Sequence, residues 1–160
     1  MEEVTPSYED DYQKGLFLTF RIGNEDFGLE IRYVTEIIGI QKITEVPDMP
    51  VFMQGVINLR GKVIPVMDIR LRFGLPSREY DERTCIIVVQ VGKKSVGLVV
   101  DKVNEVASIS DDAIEPPPRT EGNGYIQGIG KNGDEVKILL DVQRLLYEDG
   151  EEDIPMDEAC

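Results

Sequence analysis

Histidine and tryptophan are absent from this chain of 160 residues, and cysteine occurs only 2 times. Without an imidazole there is no Ser-His-Asp or Cys-His nucleophile, no histidine general base and no ordinary zinc site. Any catalysis would have to run on carboxylates, lysine or tyrosine. Cys85 sits in an apolar run and Cys160 at the last position, so neither a CxxC pair nor a disulfide framework can be drawn. No stretch approaches the ~18 consecutive apolar residues of a membrane helix. The first residues lack the positive and apolar regions of a secretory signal, so we expect a cytoplasmic protein with no direct membrane insertion.

An excess of basic charge is missing as well. The formal net charge is −14, but it is not spread evenly. Residues 1–13 carry Glu2, Glu3, Glu9, Asp10 and Asp11 with no base. Residues 148–160 carry Glu148, Asp149, Glu151, Glu152, Asp153, Asp157 and Glu158, again with no base. Both ends read as flexible acidic tails, and the body between them, residues 14–147, is nearly balanced. Its tyrosines and phenylalanines do not cluster with basic residues, so no nucleic-acid platform is indicated.

The body contains an internal repeat with an offset of 69. Leu16, Leu18, Phe20 and Ile22 fall on Cys85, Ile87, Val89 and Val91, each set spaced by two as on one buried face of a strand. Phe27-Gly28-Leu29 falls on Val96-Gly97-Leu98, Val34 on Val103, Glu36 on Glu105 and Ile37 on Val106. Gly55, Ile57 and Gly61 fall on Gly124, Ile126 and Gly130, which sets Arg60 against Ile129. Four extra residues then bring Asp68 onto Asp141. Both aspartates precede short helical patterns and are expected to be N-caps. Copy one is expected to form a subdomain over about 14–75 and copy two over about 83–147, with residues 76–83 as linker. Each copy reads as about five short strands and a terminal helical turn, that is, an all-β fold with short helices built from two small closed barrels. Ile86 and Val88 as well as Ile87 and Val89 are apolar, so that strand needs a layer on both sides. Thr19 and Arg21 make the outer face of the matching strand more polar.

Chemistry-bearing motifs are few. Gly128 to Gly133 fits GxGxxG, but the alternating run Glu135 to Leu140 follows, so the pattern is a hairpin turn and no dinucleotide cofactor is expected. Asp48, Asp68 and Asp101 are the carboxylates that a double-barrel hydrolase would use, though spacing does not show that any two converge. A second possibility is an SH3-like peptide-binding module, against which the lack of tryptophan counts. The segment from Met53 to Asp68 reads as a β-hairpin whose turn holds Arg60-Gly61, with Gly61 taking the positive φ. On that reading Arg60 is a solvated turn residue.

The run Gly55 to Asp68, with Phe27 to Ile31, Val34 to Ile38 and Gly97 to Asp101, resembles the CheW family of bacterial chemotaxis coupling proteins. The resemblance runs from about Gly15 to Tyr147 and covers nearly the whole body. It implies two SH3-like five-stranded β-barrels packed around a shared hydrophobic core. It also implies a non-catalytic, cofactor-free adaptor, recruited to membrane-bound receptor arrays. Its partners would be the regulatory domain of the histidine kinase CheA and the cytoplasmic tip of chemoreceptors. Carried over by motif, the partner-binding positions are Val34, Glu36, Gly55, Asn58 and Arg60, with Gly97 and Val99 in the second copy.

Overall fold

The computed structural model describes residues 13–118, 124–148 and 152–153. The expected acidic tails lie mostly outside these residues. In chain order the strands are β1 (Leu16–Ile22), β2 (Glu25–Glu30), β3 (Val34–Gly39), β4 (Met53–Leu59) and β5 (Lys62–Asp68), followed by helix α1 (Ile69–Arg72). The second series is β6 (Cys85–Val91), β7 (Lys94–Val100), β8 (Lys102–Ser108), β9 (Ile114–Glu115), β10 (Ile126–Asn132) and β11 (Glu135–Leu140), then helix α2 (Val142–Leu146). A short pair, β12 (Tyr147–Glu148) with β13 (Glu152–Asp153), closes the described chain. Among the described residues, no helix is long and apolar enough to cross a membrane.

The strands form a six-stranded sheet, β8-β1-β2-β11-β10-β9, and a five-stranded sheet, β3-β6-β7-β5-β4. The fold is mostly β with short helices, as expected. The expected closure of each sheet into a barrel is not among the strand pairings. The assignment of one copy to each subdomain also needs correction. Hairpin β1-β2 of the first copy lies in the sheet of β8 to β11, and hairpin β6-β7 of the second lies in the sheet of β3 to β5. Connection length explains the exchange. Three residues, Ile31–Tyr33, join β2 to β3, and Asp101 alone joins β7 to β8. Such links cannot carry the third strand back across its own hairpin, because neighbouring strands are ~4.8 Å apart. Parallel ladders seal the exchange: Ile138 pairs with Phe27 and Leu140 with Leu29, while Val66 pairs with Gly97 and Asp68 with Val99.

The apolar alternation now has a physical account. Ile87 and Val89 enter the core between the sheets, with Leu18, Phe20, Leu29, Leu98, Leu140 and Leu145. Ile86 and Val88 enter a second core inside the five-stranded sheet, with Ile57, Ile64, Val66 and Val99. Strand β6 is therefore buried on both faces. Thr19, expected on a more polar outer face, is fully buried at a bulge between Leu18 and Phe20. Its Oγ1 donates to the Glu105 carbonyl at 2.7 Å and accepts from the Glu105 N–H at 3.2 Å, so its polarity is satisfied by backbone.

The ladders also correct the repeat. Gly55 pairs with Val66, and Gly128 pairs with Leu139, each just after a bulge. Gly55 thus corresponds to Gly128 and not to Gly124, and the four extra residues lie between β8 and β10, where the sequence carries Pro116-Pro117-Pro118. Asp68 caps α1 as expected, its Oδ1 accepting from Arg70 N at 2.9 Å, and Asp141 accepts from Arg144 N at 3.2 Å. The GxGxxG run is a hairpin, with Asn132 paired to Glu135.

Asp101, at the one-residue link, ties three segments together. It accepts from Gly23 N at 2.8 Å, from Arg70 of α1 at 3.0 and 2.7 Å, and from Arg78 of the linker at 3.0 Å. Burial alone would raise its pKa; Arg70, the Gly23 N–H and Arg78 together hold it below the usual carboxylate range. A depressed folded-state pKa contributes stability above the unfolded value of about 3.9, lost as pH falls through the folded value. Asp101→Asn is therefore expected to cost about 1.5–3 kcal/mol near neutral pH and to flatten the acid limb of stability below about pH 4. Urea unfolding across that range checks both effects.

Candidate functional site

Three expected site residues converge at one end of the five-stranded sheet. Arg60 occupies the β4-β5 turn and its guanidinium pairs with Glu36 of β3. Strands β3 and β4 are the opposite edges of the sheet, so this pair spans its two margins. Arg60 remains 70% exposed and Glu36 30% exposed. The pair is worth little to stability in water, but its free faces are open to a partner.

The turn is not built as the sequence suggests. Arg60 as well as Gly61 has positive φ, 52° and 87°. Three other hairpins put glycine at the first turn position, Gly23, Gly92 and Gly133, with φ of 63°, 62° and 68°. In the corrected repeat Arg60 corresponds to Gly133, not to Ile129. An L-residue in the left-handed region costs roughly 1–2 kcal/mol that a glycine there avoids. Asn58 helps hold the conformation, its Oδ1 accepting from Gly61 N at 2.8 Å.

Gly55 lies one strand-length away and acts through backbone. Its φ is 142°, and a Cβ there would lie 2.1 Å from the Thr44 carbonyl oxygen. The missing side chain admits two bonds between Thr44 and Val56, of 2.8 and 2.9 Å, which pin the β3-β4 connection onto β4. Thr44 is invisible as a site residue in the sequence. A glycine in an alternating strand was the available signal that another backbone approaches.

Val34, Gly97 and Val99 do not join this group. A bulge between Val34 and Glu36 pairs Val34 with Val89 and Glu36 with Val88. Directly opposed residues share a face, so Val34 turns toward the core between the sheets and Glu36 toward the margin of the inner one. Gly97 is buried where a Cβ would lie 2.7 Å from Ile86 Cγ2, and Val99 is 3% exposed in the inner core. Neither presents a side chain to a partner. Asp68 and Asp101 are occupied, Asp68 by its cap and by the Tyr80 hydroxyl at 2.7 Å, Asp101 by its arginines. Burial, then the Asp68 carboxylate, pushes the Tyr80 phenol far above its usual range. Neither carboxylate supports the hydrolase alternative.

The family profile described as CheW-like domain matches residues 16–150. The chain is 40% identical over 133 residues to a chemotaxis protein CheW of Klebsiella aerogenes, covering 81% of this chain and 80% of that one. It is 34% identical over 143 residues to a chemotaxis protein CheW of Helicobacter pylori, covering 88% and 87%. The crystal structure of scaffolding protein TtCheW from Thermoanaerobacter tengcongensis superposes with a TM-score of 0.79 at 36% identity, covering 86% of this chain and 96% of that one.

Two substitutions should move stability in opposite directions. Gly55→Ala forces a methyl into the Thr44 carbonyl from a strained φ and is expected to cost about 3 kcal/mol. Arg60→Gly relieves roughly 1–2 kcal/mol of backbone strain and forfeits an exposed pair worth about 0.2–1 kcal/mol, so it should leave the protein as stable or more so. Denaturant midpoints of the two variants and wild type decide the matter.

Proposed function

Because the chain belongs to the CheW-like family of chemotaxis scaffolding proteins, we propose that it is a non-catalytic adaptor coupling chemoreceptors to the histidine kinase CheA. On this reading it works in the cytoplasm, recruited to membrane-bound receptor arrays, and engages the kinase regulatory domain and the receptor tip through separate surfaces.

One observation carries the proposal to particular residues. Arg60 is held at a left-handed turn position where its duplicate, and two further hairpins, use glycine. Folding alone favours glycine there, so the arginine is retained for what its guanidinium does. Fixed by Glu36 on one side and exposed on the other, it can form a forked pair with a partner carboxylate. Glu36 and Asn58 are positioning residues: the first aims the guanidinium and the second holds the turn. Gly55 supports them through the Thr44 bridge. Gly97 serves by letting β6 and β7 pack closely, and Val99 by filling the inner core; any effect of changing them on assembly is indirect.

Co-sedimentation with a receptor cytoplasmic fragment and the kinase regulatory domain tests this reading. Arg60→Ala and Arg60→Gly should both weaken assembly by roughly tenfold to a hundredfold, the loss expected for a charged hydrogen bond in a partly desolvated contact, and Arg60→Glu should be worse. Unchanged assembly by the glycine variant would return Arg60 to a solvated turn residue.

A further inference from the structure

The two sheets repeat one another, yet the mouth of one inner core is filled and that of the other is open. In the five-stranded sheet Tyr80 of the linker packs against the inner core around Ile57, Ile64, Ile86 and Val99, joined there by Ile43. Its hydroxyl donates to Asp68 Oδ2 at 2.7 Å and lies 3.5 Å from Gln54 Oε1. Gln54 is the extra residue of the β4 bulge, and Asp68, whose Oδ1 caps α1, is buried.

The six-stranded sheet rebuilds this frame without the tyrosine. The ladders set Gln127, the extra residue of the β10 bulge, at the place of Gln54, Ile114 at that of Ile43 and Asp141 at that of Asp68. Asp68 N donates to Phe52 O and Asp141 N to Tyr125 O, each at 2.8 Å, so both carboxylates are anchored alike, two residues from their glutamines' strands. Phe17 pairs with Glu30 as Ile86 pairs with Val99. Where the first frame holds Tyr80, a cavity of about 350 Å³ opens between Lys14, Phe17, Glu30, Ile114 and Gln127. Phe17 and Ile114 give it an apolar floor, continuous with Ala107, Ile109 and Leu139.

Asp141 shows what is missing. Its Oδ1 serves its own helix, as in Asp68, but its Oδ2 has only a long ion pair with Arg144, at 3.8 Å, and its side chain is 38% exposed. Nor does the repeat supply a plug from the chain. At the offset of 69, Tyr80 falls on Asp11. A carboxylate neither covers an apolar floor nor donates to a second carboxylate near neutral pH.

We propose that this cavity is a docking seat for a tyrosine side chain of a protein partner, with the ring on Phe17 and Ile114 and the hydroxyl donating to Asp141 Oδ2 beside Gln127. A phenol suits a seat with an apolar floor and one acceptor at the far side. The volume is in the range of roughly 300–1,000 Å³ for sites that enclose a ligand. The seat lies on the six-stranded sheet and does not rest on the adaptor reading of Arg60.

The isotope-labelled full chain, titrated with N-acetyl-tyrosinamide, N-acetyl-phenylalaninamide and p-cresol, tests this through its backbone amides. The tyrosine probe should shift Phe17, Glu30, Gln127 and Asp141 and leave Gln54, Asp68 and Ile86 in place. It should bind roughly tenfold more tightly than the phenylalanine probe, the contribution of a hydrogen bond to a charged acceptor. Asp141→Ser keeps a helix cap and removes Oδ2, so it should erase that preference and leave the phenylalanine probe unaffected. Tyr80→Gly vacates the filled seat and should add shifts at Gln54, Asp68 and Ile86, a positive control in the same molecule. No shift at the four cavity amides, with or without binding to the vacated seat, overturns the proposal. Equal affinity for the two amides, or a preference that survives in Asp141→Ser, does so as well. Binding of p-cresol without the tyrosine probe would mean that the mouth admits no peptide backbone, again contrary to the proposal. Probe binding that appears only after Tyr8→Ser and Tyr12→Ser would mark the chain's own tyrosines as the occupant and contradict a partner.

Discussion

Each half of the molecule depends on a hairpin lent by the other. With β1-β2 laid against β11 and β6-β7 against β5, neither copy has a complete sheet of its own. The links, three residues after β2 and one after β7, are too short to carry the next strand back across its own hairpin. Burial of β6 on both faces and the shared core follow from the same constraint. Asp101 stands at the shorter link and holds α1, the linker and the β1-β2 turn to one carboxylate. Subdomains joined this way cannot unfold independently.

Against that rigid frame, the Arg60 end of the five-stranded sheet is where local rules are broken. Arg60 takes a conformation that three other turns assign to glycine. Gly55 removes a side chain from an alternating strand so that Thr44 can bond to Val56. A bulge turns Glu36 away from Val34 and toward Arg60. Such departures carry a stability cost that folding does not require, and they converge on one ion pair across the margins of a single sheet.

Much of this was legible from sequence because periodicity and repetition are local signals. The alternation of Cys85 to Val91 announced a strand with two buried faces, and Asp68 and Asp141 announced caps. Hairpin exchange was not legible, since repeat matching says which segments are alike and nothing about which pair. Glycines at regular spacing misled the alignment beyond β4, where the ladders replace Gly124 by Gly128 as the partner of Gly55. The family resemblance marked Glu36 and Arg60 as partner-binding positions, but their pairing is a long-range contact that nothing in the sequence encodes. Burial of Gly97 and Val99 depends on sheet order, which no motif encodes.

The central claim is that an adaptor of this family meets a partner through the Arg60 end of the five-stranded sheet. Cross-saturation from a protonated kinase regulatory domain, and separately from a protonated receptor cytoplasmic fragment, would map both contacts on the deuterated, isotope-labelled chain. With one of the two partners, the account predicts attenuation at Thr35–Ile37 and Asn58–Lys62, with Gly97 and Val99 unaffected. Attenuation confined to the six-stranded sheet with both partners would contradict it.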